Sequence, residues 1–118
     1  MNEPLTTRDA FEGLNDVGGP KRIHVKAWGR DVFLLDPTAA IREEWEGFIK
    51  KHEGSSVAPW RAKVAQLLVC DESGKRIFTE ADMEFLSGRD ASAMTEIFTA
   101  GTKLLAITDE EIETLSGN

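Results

Sequence analysis

The stretch from Trp60 to Leu86, WRAKVAQLLVCDESGKRIFTEADMEFL, constrains this chain more than any other. Trp60, Val64, Leu67 and Leu68 stand at i, i+4, i+7 and i+8, the spacing of one face of an α-helix. Asp71-Glu72-Ser73-Gly74-Lys75 then breaks the spacing with residues that hydrogen-bond their own backbone or adopt positive φ. Ile77 and Phe78 follow as apolar anchors, and Thr79-Glu80-Ala81-Asp82 has the form of a helix N-cap. The stretch predicts helix, polar turn, short extended link and second helix. It predicts a fold element and no chemistry.

Upstream, Thr6-Thr7-Arg8-Asp9 caps a predicted short helix carrying Ala10, Phe11 and Leu14, which Asn15 to Pro20 ends. Three apolar residues bury little, so this helix is expected to be loosely held. Arg22 to Asp36 reads as a β-hairpin, with Ile23, Val25 and Ala27 alternating against His24, Lys26 and Trp28. Gly29-Arg30 is expected to make a two-residue type II′ turn. The second strand is apolar on both faces and is expected to be covered on both. Asp36 is the expected cap of the next helix, with Pro37 at its first position. Ile41, Trp45, Phe48, Ile49 and His52 form that helix's apolar face, opposite Arg42, Glu43, Glu44, Glu46, Lys50 and Lys51.

After Ser87-Gly88-Arg89-Asp90 a longer helix is predicted, with Met94, Ile97, Phe98, Gly101 and Leu105 on one face. Gly101 is expected to admit close helix approach there, at a cost in helix propensity. Thr108-Asp109-Glu110-Glu111 is a capping box for a last short helix carrying Ile112 and Leu115. The expected class is α+β: one small antiparallel β-hairpin packed with about five or six α-helices. A length of 118 residues sets a single domain, 1–118.

Charge narrows the function. The net charge is −7. Acidic and basic side chains balance over residues 1–79, so the whole excess lies in residues 80–118, where only Arg89 and Lys103 are basic. That argues against nucleic-acid binding, which needs a cationic surface. It permits a basic protein partner, although a solvated acidic face is the simpler reading. No apolar run approaches a membrane span, and MNEPLTTRDAF is too acidic and polar for a signal peptide. A single cysteine, Cys70, fits a reducing cytosol, and the expected location is cytoplasmic.

Chemical motifs are weak throughout. His24 and His52 are far apart in sequence, and a zinc site would need both to converge with Cys70 by chance. Asp71-Glu72-Ser73-Gly74 places its glycine at the fourth position of a would-be calcium loop, where the sixth is required. No serine has a nucleophile-elbow context, and Gly18-Gly19 lacks the remainder of a phosphate loop. An enzyme would have to bring Asp71, Asp82 and His52 into one cleft. The expectation is a non-enzymatic protein without cofactor or metal. The candidate partner-binding residues are Trp28, beside the hairpin turn, whose alternative role is structural, and Asp109, Glu110, Glu111, Ile112, Glu113 and Leu115 of the acidic last helix, which either docks on a partner or folds back on the domain.

From about Lys21 to Asn118 the order of elements resembles the tail assembly chaperones of long-tailed phages and prophages. The resemblance is carried by the strand pair with Trp28-Gly29 and by Arg61-Ala62 through Val69-Cys70-Asp71. It continues in Asp71-Glu72-Ser73-Gly74-Lys75-Arg76-Ile77-Phe78-Thr79-Glu80-Ala81-Asp82, then in Leu104-Leu105 and Thr108-Asp109-Glu110-Glu111-Ile112-Glu113. It implies a holdase that binds the tape measure protein, a long apolar helical rod, until tail tube subunits polymerise around it. The tail tube protein is an implied second partner, and self-association a further one. Such a protein works in the bacterial cytoplasm and is absent from the mature virion. The alternative is a small bacterial adaptor or regulatory domain that binds a basic partner through the acidic C-terminal helix.

Overall fold

Every residue of the helix Trp60–Leu68 except Arg61 is buried, and the other elements are arranged around it. The computed structural model describes residues 3–105. In chain order these form α1 (Arg8–Glu12), β1 (Lys21–Val25), β2 (Arg30–Leu34), α2 (Ala39–Lys51), α3 (Trp60–Leu68) and β3 (Val69–Cys70). A 3₁₀ turn (Glu80–Asp82), α4 (Met83–Ser87) and α5 (Ala91–Leu104) follow. The α+β class holds, with five α-helices and one 3₁₀ turn among the described residues.

Helix α3 is buried on every side but that of Arg61, where the sequence predicts one apolar face. The two polar residues of its buried surface make this possible, because the Lys63 ammonium donates to Gln66 Oε1 at 2.8 Å one turn on. On one side α3 meets α2 through an aromatic cluster. Trp45 and Phe48 stand edge-on to Trp60, with centroids 6.2 and 5.3 Å from it. Such pairs add about 0.5–1.5 kcal/mol each beyond the area they bury. On another side α5 lies against Val64 and Leu68 at Gly101.

The sheet has three antiparallel strands in the order β1-β2-β3, one more than the expected hairpin. Strand β3 is only Val69–Cys70, which pair with Leu34 and Phe33. These two residues continue the apolar run of α3 without a break, so their sequence carries no separate strand signal. Leu35 N donates to the Leu68 carbonyl at 2.8 Å and extends the pairing into the last turn of α3. The two-residue turn is also corrected. Val25 pairs with Arg30, so Lys26 to Gly29 form a four-residue loop. Gly29 takes φ +61°, a conformation other side chains resist, and donates to the Val25 carbonyl at 2.9 Å.

The cap of α2 is Thr38, whose Oγ1 accepts from Ile41 N, and not Asp36. Asp36 Oδ2 instead accepts from Gly18 N at 2.7 Å and ties the N-terminal segment to the end of β2. The Thr79 cap falls where the sequence places it, and Asp90, read from sequence only as part of a connecting segment, caps α5. Asp82 Oδ2 accepts from Thr79 N at 2.7 Å, and Asp90 Oδ2 accepts from Ala93 N at 2.9 Å to open α5. The predicted last helix from Thr108 lies outside the described residues.

Candidate functional site

Trp28 sits in the hairpin loop, 39% exposed, with its backbone N–H on the Val25 carbonyl. The loop is clamped from α5. Glu96 Oε1 accepts from Lys26 N at 2.7 Å and Oε2 accepts from Ala27 N at 3.0 Å. These hydrogen bonds from Ala27 and Lys26 favour the ionised carboxylate and hold Glu96 below its ordinary range. The indole is thus displayed on a loop whose backbone is fixed on both sides. No local sequence signal marks Glu96, which lies about 70 residues from the loop it holds. The other candidate binding residues, Asp109, Glu110, Glu111, Ile112, Glu113 and Leu115, lie outside the described residues.

Further exposed apolar side chains lie along the N-terminal segment. Helix α1 is capped by Thr7 Oγ1, which accepts from Ala10 N, and is bridged by an Arg8–Glu12 ion pair. It buries none of its residues. Leu5, Phe11, Leu14 and Val17 are all exposed, Phe11 by 57%. Sequence reading placed Phe11 and Leu14 on a helix but did not identify them as surface. The available signal was the shortness of the helix and the Gly-Gly-Pro that follows it. A second exposed pair, Ile77 and Phe85, flanks the link into α4, where the Arg89 guanidinium lies 4.4 Å from the Phe85 ring centroid.

Of the ionisable residues singled out by sequence, Asp71, Asp82 and His52 are each engaged with backbone groups, and His24 pairs with a neighbouring carboxylate. Asp71 Oδ1 accepts from Ser73 N, Ser73 Oγ and Lys75 N at 2.6–3.0 Å, and the Ser73 hydroxyl is the main cause of its lowered pKa. Asp31 lies between His24 Nδ1 at 2.7 Å and Arg22 Nε at 2.6 Å, and both hold its pKa down, His24 the more. Lowered values keep both carboxylates ionised, opposite to the direction a general acid requires. Asp82 caps the 3₁₀ turn. His52 ends α2, with Nδ1 3.0 Å from the Phe48 carbonyl oxygen. The Cys70 thiol is buried, and burial followed by the charge of Asp71 pushes its pKa up, away from reactive thiolate.

Among the described residues, no three His, Cys, Asp or Glu side chains gather into a group that could hold a metal ion. No described helix is long and apolar enough to cross a membrane. No family model, curated protein or solved structure matches this chain.

Proposed function

We propose that the chain is a phage tail assembly chaperone. It holds the tape measure protein, an apolar helical rod, while tail tube subunits polymerise around it, and it performs no catalysis. The observation that supports this reading is the exposed apolar segment Leu5, Phe11, Leu14 and Val17, with a helix that buries none of its own residues. A holdase needs apolar contact surface already on the outside, since unfolding to create it would slow capture and release. The displayed indole of Trp28 adds an aromatic anchor of the kind that dominates protein contacts. The acidic excess of residues 80–118 steers encounter with basic stretches of the rod. This work takes place in the bacterial cytoplasm.

Co-expression with a neighbouring tape measure candidate tests the reading. The rod is expected to stay in solution and to co-purify with several copies of this chain. A rod that aggregates equally with and without the chain, with nothing bound, would overturn it. In that case the adaptor reading, with a basic partner for the acidic segment, takes its place.

A further inference from the structure

We propose that the cleft between α2 and α3 binds a carboxylate group, received by the buried ammonium of Lys63. The proposal is independent of the chaperone reading.

Lys63 is 6% exposed, an unusual position for a lysine. Its ammonium donates to Gln66 Oε1 at 2.8 Å and lies 5.4 Å from the centroid of the Phe48 ring. None of the ion pairs among the described residues includes it. An ammonium has three donors, and neither an amide oxygen nor a ring face neutralises its charge. Buried charge without a counter-charge is costly, so the site favours a ligand that supplies one. Lys63 and Phe48 line a cleft of about 380 Å³, large enough for a small organic acid or an acidic side chain.

The walls narrow the ligand class. Lys51, the last residue of α2, adds a second cation, and the Phe48 and His52 rings, 4.2 Å apart, offer an apolar face to the stem of an acid. Glu44 and Glu80 also line the cleft. Neither carboxylate forms an ion pair with Lys63, and both repel a multiply charged anion such as phosphate more strongly than a single carboxylate, which is the group the site favours. Gly47, in the interior of α2, completes the wall. A Cβ placed on it meets nothing within 4 Å, so the glycine keeps open a space that a side chain would fill.

Titration of the full chain with acetate, benzoate or phosphate, at constant ionic strength and observed by NMR, tests the site. Acetate and benzoate are expected to give saturable shifts at the Lys63 ε-methylene and the Phe48 ring, and phosphate none. Lys63→Met should weaken benzoate about tenfold or more, the loss expected for one charge-assisted hydrogen bond. Gly47→Leu, which places a good helix former in open space, should fold and block binding. If Lys63→Met does not fold, nuclear Overhauser contacts from benzoate to Phe48 and Lys63 in the unaltered chain give the same answer. A further arm compares a glutamate-containing peptide with its glutamine counterpart. Preference for the glutamate peptide assigns the carboxylate to a protein partner, and binding of benzoate alone assigns it to a small acid. Shifts that do not saturate, that survive both substitutions, or that phosphate reproduces would overturn the proposal.

Discussion

A Cβ placed on Gly101 would stand 2.4 Å from Val64 Cγ1 and 3.1 Å from Leu68 Cδ1. Helix α5 approaches α3 this closely because Gly101 has no side chain. Two effects oppose each other in Gly101→Ala. Helix propensity favours alanine by roughly 1 kcal/mol. Overpacking a filled core costs about 1–3 kcal/mol, and the facing Val64 is fully buried with nowhere to move. The expected outcome of urea denaturation is a net loss of stability. Gly101→Ala combined with Val64→Ala should lose less than the two single losses added, because the second change removes the clash.

Trp60→Ala is expected to cost about 3–5 kcal/mol, the range for a large buried aromatic. Trp60 is edge-on to both Trp45 and Phe48, so the substitution empties the junction between α2 and α3. Thermal denaturation followed by near-ultraviolet circular dichroism checks it. A variant with unchanged melting temperature would mean that the α2–α3 contact contributes little.

Glu96 predicts a pH dependence. Its folded pKa lies below its unfolded value because Ala27 and Lys26 donate to the carboxylate. Its contribution is therefore present above the ordinary glutamate pKa and is lost as pH falls through the lower folded value. Asp71 and Asp31 act in the same direction. Stability measured by urea should fall on acidification through this window, and Glu96→Gln should fall less steeply. The same variant should raise amide exchange at Lys26 and Ala27 while leaving that of α3 unchanged.

Cys70 should react slowly with a soluble thiol reagent in the native protein and rapidly in denaturant, since burial holds the thiol protonated and shielded. Cys70→Ser should cost about 1–3 kcal/mol by burying a hydroxyl in place of an apolar sulfur. Rapid labelling of the native protein would contradict the buried setting.

Phe11→Ser and Leu14→Ser bear on the proposed function. Both side chains are exposed, so each change should alter stability by no more than about 0.5 kcal/mol. Together they should reduce recovery of the tape measure candidate on co-purification. Full recovery with the double variant would move the contact surface away from the N-terminal segment.

Short-range signals in the sequence were legible and long-range ones were not. The capping of the 3₁₀ turn at Thr79 and Asp82 and the close approach at Gly101 were each written in a few adjacent residues or one helical period. The burial of α3 beyond its one apolar face was not, because it depends on Lys63 and Gln66 satisfying each other inside the fold. The hairpin turn was misplaced by two residues, since Gly29 serves equally well as the last residue of a four-residue loop and the first of a two-residue one. Strand β3 was hidden because Val69 and Cys70 prolong an apolar run that helix and strand share. The position of Trp28 near the turn was readable, but the Glu96 carboxylate that fixes that turn comes from a distant helix.

The passage from α3 into β3 occurs with no intervening loop, and the Leu68 carbonyl that ends the helix is already the acceptor for Leu35. Helix and sheet therefore share one length of backbone and have no seam at which to part. Peeling β2 from β3 removes the partner of Leu68 and exposes the last turn of α3, while unwinding α3 takes the third strand with it. Layered folds joined by loops can open one layer at a time. Here the layers are soldered at Leu68, so the slowest-exchanging amides of α3 and of β2 are expected to open together, as one unit.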